Sequence, residues 1–143
     1  MYLAYRHPIE HSQGALSMDI HNLDRVAAFI TKDGSEIREL LAHRNSSIVN
    51  QSLAEARVAP GATTTGHRHV RTEEIYYILE GTGRMRIGED EALVSPGDAI
   101  AIPPGSPHQI TNVGTTTLRF LCCCAPAYEH DDTILETDPP HRK

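Results

Sequence analysis

The chain has 143 residues, 39% of them hydrophobic, and a formal net charge of −6. That is enough chain for one domain with a core of its own, and no apolar stretch reaches the roughly eighteen residues needed to span a membrane. An acidic chain without a basic patch interleaved with aromatics makes nucleic acid an unexpected partner, and the N-terminus lacks the basic segment and apolar run of a secretory leader.

Residues 1–48 read as an extension ahead of the main domain. Asp24 before Arg25-Val26-Ala27-Ala28-Phe29 suits a short capped helix. Ile37, Leu40 and Leu41 fit helical spacing, and a strand of that length fits equally well. His7, His11, His21 and His43 have no ligand spacing and read as surface residues. From Ser52 the residues alternate. Ser52, Ala54, Ala56 and Val58 share one face of a strand, and Leu53, Glu55 and Arg57 share the other. Turned inward, the small set leaves room for a ligand that large side chains would fill. Turned outward, it packs against another element, such as a second chain.

His67 and His69 project to the same side of a strand, roughly 6.5 Å apart along the backbone. A carboxylate follows at Glu73 or Glu74, ahead of the apolar run Ile75-Tyr76-Tyr77-Ile78-Leu79, which reads as buried on both faces. Tyr76 shares a face with Glu74, so its hydroxyl can serve a substrate as hydrogen-bond partner or proton donor, or can belong to the core. Turns are marked by Gly81-Thr82-Gly83, Pro96-Gly97-Asp98 and Pro103-Pro104-Gly105. Short segments of alternating character lie between and after them: Gly83–Ile87, Ala99–Ile102, His108–Thr111 and Thr117–Cys122. Short strands punctuated by glycine and proline predict an all-β sandwich or barrel.

Cys122, Cys123 and Cys124 are adjacent and have no distant partner, which excludes a disulfide scaffold within the chain and points to a reducing compartment, the cytoplasm. In an alternating strand Phe120, Cys122 and Cys124 share a face, and Cys123 reads as a small buried apolar residue. The tail from residue 126 can fold over the mouth of the domain, and Asp138–Lys143 read as disordered.

One pattern ties these segments together. Gly61-x5-His67-x-His69-x4-Glu74-x6-Gly81 is followed, after fifteen residues, by Gly97-x5-Pro103-x-Gly105-x2-His108-x3-Asn112. Three imidazoles and one carboxylate suit a divalent transition ion, Fe, Mn, Ni, Cu or Zn. If that ion is six-coordinate, positions stay open, as in catalytic rather than structural sites. The pattern resembles the two motifs of the cupin superfamily, with every position filled; no second copy is visible. The spacing to Gly81 then selects Glu74, so the ligand set becomes His67, His69, Glu74 and His108, one ion per chain.

The resemblance implies a double-stranded β-helix (jelly-roll) barrel over residues 49–125 with the metal inside. It also implies N-terminal strands that join the sheet or a partner's sheet, a tail over 126–143, and a homodimer. With the small strand facing inward, Ala54, Ala56, Tyr76, Phe120 and Cys122 would line a pocket for a small molecule. The expected function is a metal-dependent enzyme on a small oxygen-rich, anionic or chelating molecule, with dioxygenase chemistry slightly ahead of isomerase, lyase or cyclase chemistry. A non-catalytic binding protein is the alternative.

Overall fold

The structure, a computed structural model, describes residues 18–140. His7, His11 and the chain from 141 onward lie outside the described residues. Among the described residues eleven strands follow one another: β1 (Phe29–Ile30), β2 (Glu36–Leu41), β3 (Ser52–Val58), β4 (His67–His69), β5 (Glu73–Glu80), β6 (Gly83–Ile87), β7 (Asp90–Val94), β8 (Ala99–Ile102), β9 (His108–Asn112), β10 (Leu118–Ala125) and β11 (Thr133–Leu135). They form two antiparallel sheets that fold against each other as a jelly-roll barrel. One has the order β1-β2-β3-β10-β5-β8 and the other β11-β4-β9-β6-β7.

Register explains where the core ends and the site begins. Across β3, β10 and β5 the inward residues pair in rows. Ser52, Cys124 and Glu74 form one row, Ala54, Cys122 and Tyr76 the next, then Ala56, Phe120 and Ile78, with Val58 opposite Leu118 beyond. The rows run from small and polar to large and apolar. Phe120, Ile78, Leu118 and Ile110 are essentially sealed from solvent and fill one end of the barrel. The small residues leave the other end open inside.

The loops are set by a few local constraints. Gly81 has φ +86, and a Cβ there would stand 3.0 Å from the Leu118 backbone, so the turn between β5 and β6 accepts only glycine without strain. Asn112, 1% exposed, donates to Val58 O and Thr116 O and accepts from Gly114 N, which ties three loops to one buried amide.

The structure corrects some of these expectations and decides an open one. The helix near Asp24 is a single 3-10 turn, Leu23–Arg25, capped by Asn22, whose side chain accepts from Asp24 N. Ile37, Leu40 and Leu41 lie in a strand, β2, paired with β3. The run Ile75–Leu79 is buried on one face only: Ile75, Tyr77 and Leu79 are 48%, 41% and 37% exposed, because β5 lies in the outer wall of a two-sheet barrel and, among the described residues, its back is left open. Cys123 sits on that back face, half-buried, opposite Ile75 and Leu53.

The same outer face carries a buried charge. Glu55 is sealed from solvent and accepts hydrogen bonds from Arg57 and Arg119, with an Arg38 nitrogen 3.9 Å away. Burial alone would raise its pKa, but these guanidinium groups hold it below the ordinary carboxylate value. Glu55→Ala should lower stability by roughly 3 kcal/mol by leaving the arginines without their shared anion, seen as a lower urea midpoint at pH 7. A depressed folded pKa stabilises above the unfolded pKa and loses that effect as pH falls through the folded value. The gap between wild type and variant should therefore narrow below about pH 4.

Candidate metal centre

His67 and His69 stand on β4 with Arg68 turned away between them. His108 begins β9 directly opposite His67 in the ladder. Glu74 enters from β5, in the other sheet, so the cluster bridges the space between the two sheets. All four side chains are buried, at 5% exposure or less. One ligand atom from each lies within 4.8 Å of all the others. Glu74 is thus the buried member of the Glu73–Glu74 pair, and Glu73 is exposed.

The partners behind the histidines decide what they present. His67 Nδ1 lies 2.9 Å from Thr65 O, and His108 Nδ1 lies 2.9 Å from Ser106 O. A carbonyl only accepts, so both Nδ1 atoms carry the proton and both Nε2 atoms hold a bare lone pair. His69 Nδ1 lies 3.0 Å from Thr133 Oγ1, whose own proton goes to Glu129 O, and the same logic applies. Such outer contacts fix ring orientation in metal sites.

Glu74 completes the set. Its Oε1 lies 3.2 Å from His69 Nε2 and 3.4 Å from His108 Nε2. Yet Glu74 Oε1 and His108 Nε2 are buried without a hydrogen-bond partner. Its Oε2 accepts from the Cys124 thiol at 3.1 Å. Buried lone pairs facing one another, with no proton between them, fit a cation at their centre. The residues present therefore suit the ion that the sequence pattern implies. Burial, and then His108 beside it, lowers the pKa of His67 and favours the neutral, ligating form.

Beside the cluster lies a cavity with a free volume of about 50 Å³. A single water needs about 10–15 Å³ by the same measure, so a few ligand atoms fit beyond an ion. Ala54, Ala56, Tyr76, Phe120 and Cys122 all line it, as the inward reading of the small strand requires. The Tyr76 ring packs on Phe120 with centroids 4.5 Å apart, and its hydroxyl makes no hydrogen bond with the described residues. Burial and the nearby Glu74 push its pKa well up, and burial does the same for Cys122 and Cys124, so all three keep their protons.

Sequence reasoning missed the rest of the wall. Thr31, Asp33, Ser35 and Glu39 reach the cavity from the β1–β2 hairpin, and Tyr128 and Thr133 reach it from the tail. The tail is anchored by Asp132, which accepts from the backbone N–H groups of Arg71 and Thr72. Asp33-Gly34 is a hairpin signal that could have been read, but nothing local says that the hairpin closes over the histidines. His43, taken as a plain surface residue, pairs with Glu129 of the tail.

Two antiparallel sheets closed around such a cluster define a jelly-roll protein with a site of metal-centre type. The chain belongs to the cupin superfamily. A family model described as a cupin domain matches residues 54–124. An uncharacterized protein of Methanocaldococcus jannaschii is 52% identical over 114 residues, 79% of this chain and 91% of its own length. The oxalate-binding protein of Thermotoga maritima is 31% identical over 86 residues, 60% of this chain and 71% of its own length. Among solved structures, the polyketide cyclase RemF from Streptomyces resistomycificus superposes with a TM-score of 0.72 at 26% identity, covering 87% of this chain and 89% of the cyclase.

His67→Ala and His108→Ala should each cut bound metal sharply in elemental analysis of the purified proteins; full retention in both would refute the ligand assignment. Wild-type protein should hold metal less tightly as the pH is lowered, because protons compete with the ion for the ligand lone pairs.

Proposed function

We propose that this protein is a metal-dependent enzyme acting on a small molecule that chelates through two oxygens inside the barrel. One observation carries this reading. Three imidazoles whose Nδ1 atoms are committed elsewhere turn their Nε2 lone pairs, with Glu74 Oε1, toward one point beside a cavity. One divalent transition ion per chain would supply Lewis acidity toward the chelating oxygens or, as iron, access to dioxygen chemistry.

Glu74, engaged as a ligand, is not free to take a proton from substrate. Tyr76 keeps its proton and its hydroxyl is unengaged, so it can donate to a substrate oxygen as negative charge grows there. That phenol favours isomerase, lyase or cyclase chemistry, in which a proton moves, over the oxygen insertion that the sequence put slightly ahead. Ala54 and Ala56 leave the space, and Phe120 and Cys122 exclude water from one side. The likeness to a polyketide cyclase supports an oxygen-rich substrate. The likeness to an oxalate-binding protein supports a second reading, a ligand-binding protein without turnover.

The rest of the proposal concerns setting. The exposed row of Ile75, Tyr77 and Leu79 on the outer sheet supports a homodimer formed through that face. The free thiols support a reducing compartment such as the cytoplasm. No helix among the described residues is long and apolar enough to cross a membrane.

Untagged protein purified without chelator should carry about one transition ion per chain. Incubated with diketones, catechols and hydroxy-acids, it should convert at least one; binding without conversion of any would favour the second reading, and oxygen uptake would restore dioxygenase chemistry to first place. Tyr76→Phe should lower turnover by about 100-fold or more at unchanged metal content, as loss of a proton donor does. Light scattering should give a dimer for wild type and a monomer for Tyr77→Arg.

A further inference from the structure

The β1–β2 hairpin brings a second carboxylate to the cluster. Asp33 Oδ1 is fully occupied: it accepts from Thr31 Oγ1 at 2.6 Å, Ser35 N at 2.9 Å and Ser35 Oγ at 2.6 Å. The Asp33 carbonyl accepts from Thr65 N at 2.7 Å, which fastens the turn to the segment entering β4. Asp33 Oδ2 takes no hydrogen bond from the described residues and lies 3.8 Å from His67 Nδ1, with the side chain only 12% exposed. The same carboxylate raises the pKa values of Tyr76, Cys122 and Tyr128, three other walls of the cavity, so its charge acts across the open space.

The charges lining the cavity are one-sided. Asp33, Glu39 and Glu74 are there, and no lysine or arginine is. Glu39 is neutralised at the mouth, where Arg44 holds both of its oxygens. Asp33 is therefore the carboxylate left without a cation of its own. A divalent ion together with Glu74 and Asp33 carries no net charge, so a monoanionic chelator leaves the site at −1 and a dianionic one at −2, with the further charge beside Asp33.

We propose that Asp33 is a specificity-determining residue that accepts a hydrogen bond from a ligand hydroxyl and turns away a ligand carboxylate at the same place. The cavity thus selects hydroxyl-bearing chelators, such as hydroxyketones and α-hydroxy acids, over dicarboxylates. This rests on the reading above that the cluster holds a divalent ion.

Glycolate and oxalate are a matched pair: both chelate through adjacent oxygens, and they differ by a hydroxymethyl group in place of a carboxylate. Calorimetric titration of the zinc-loaded full chain gives the ratio of oxalate to glycolate affinity without any turnover. In Asp33→Asn, which keeps an acceptor for the turn, this ratio should rise at least about tenfold, the scale of a single removed charge contact. Asp33→Ser should move it the same way. Wild type alone also tests the idea, since its ratio should lie at least about tenfold below that of aqueous zinc. A smaller change in the variants, or a wild-type ratio equal to that of the free ion, overturns the role of Asp33. Metal content measured on the same samples separates the two levels: wild type that holds no zinc overturns the metal-centre reading itself, and this inference with it.

Discussion

A carboxylate sealed inside a protein beside three imidazole lone pairs is the constraint on which the rest of this structure depends. Glu74 Oε1 and His108 Nε2 are buried without a hydrogen-bond partner, and groups left so are costly. The cost is not relieved by rearranging protons, because Thr65 O, Ser106 O and Thr133 Oγ1 hold the three Nδ1 protons on the far sides of the rings. A bound cation would relieve it. The fold works as a support that keeps four lone-pair-bearing atoms converged, and binding of an ion there would become part of folding stability.

The barrel makes this affordable by segregating its two ends. Large apolar side chains on β5, β9 and β10 pack one end to a dry core. At the other end the register opposes Ser52, Ala54 and Ala56 to the thiols and Tyr76, and the small volumes leave space beside the cluster. Both terminal segments then wrap the open end. The hairpin contributes Asp33 and the tail contributes Thr133, which holds His69 in its tautomer. Residues far from the motif in sequence thus orient the clustered histidines and add a carboxylate to the cavity wall.

The outer face of the six-stranded sheet obeys a different rule. Glu55 is buried there only because arginines from β2, β3 and β10 surround it, while Ile75, Tyr77 and Leu79 on β5 are left uncovered. Among the described residues, one half of the face is satisfied and the other half is not. That asymmetry leaves the apolar outer face of β5, rather than the charged side, as the surface on which the proposed dimer rests.

The sequence by itself determined the β class, the turns and the four residues that cluster. Glycine and proline at positions of special backbone geometry, two-residue alternation, and His-x-His spacing are local properties, legible without a partner strand. Alternation also placed Ser52, Ala54, Ala56, Phe120 and Cys122 on shared faces, though not which face was inside. Only the tertiary structure decided that β5 has an exposed back, that Cys123 faces outward, that a single 3-10 turn stands where a helix was expected, and that Asp33, Tyr128 and Thr133 stand around the cluster. Each of these depends on which strand pairs with which and on where the two terminal segments dock. Those are long-range contacts that no window of local sequence encodes, because the same residues would satisfy their local preferences in either register.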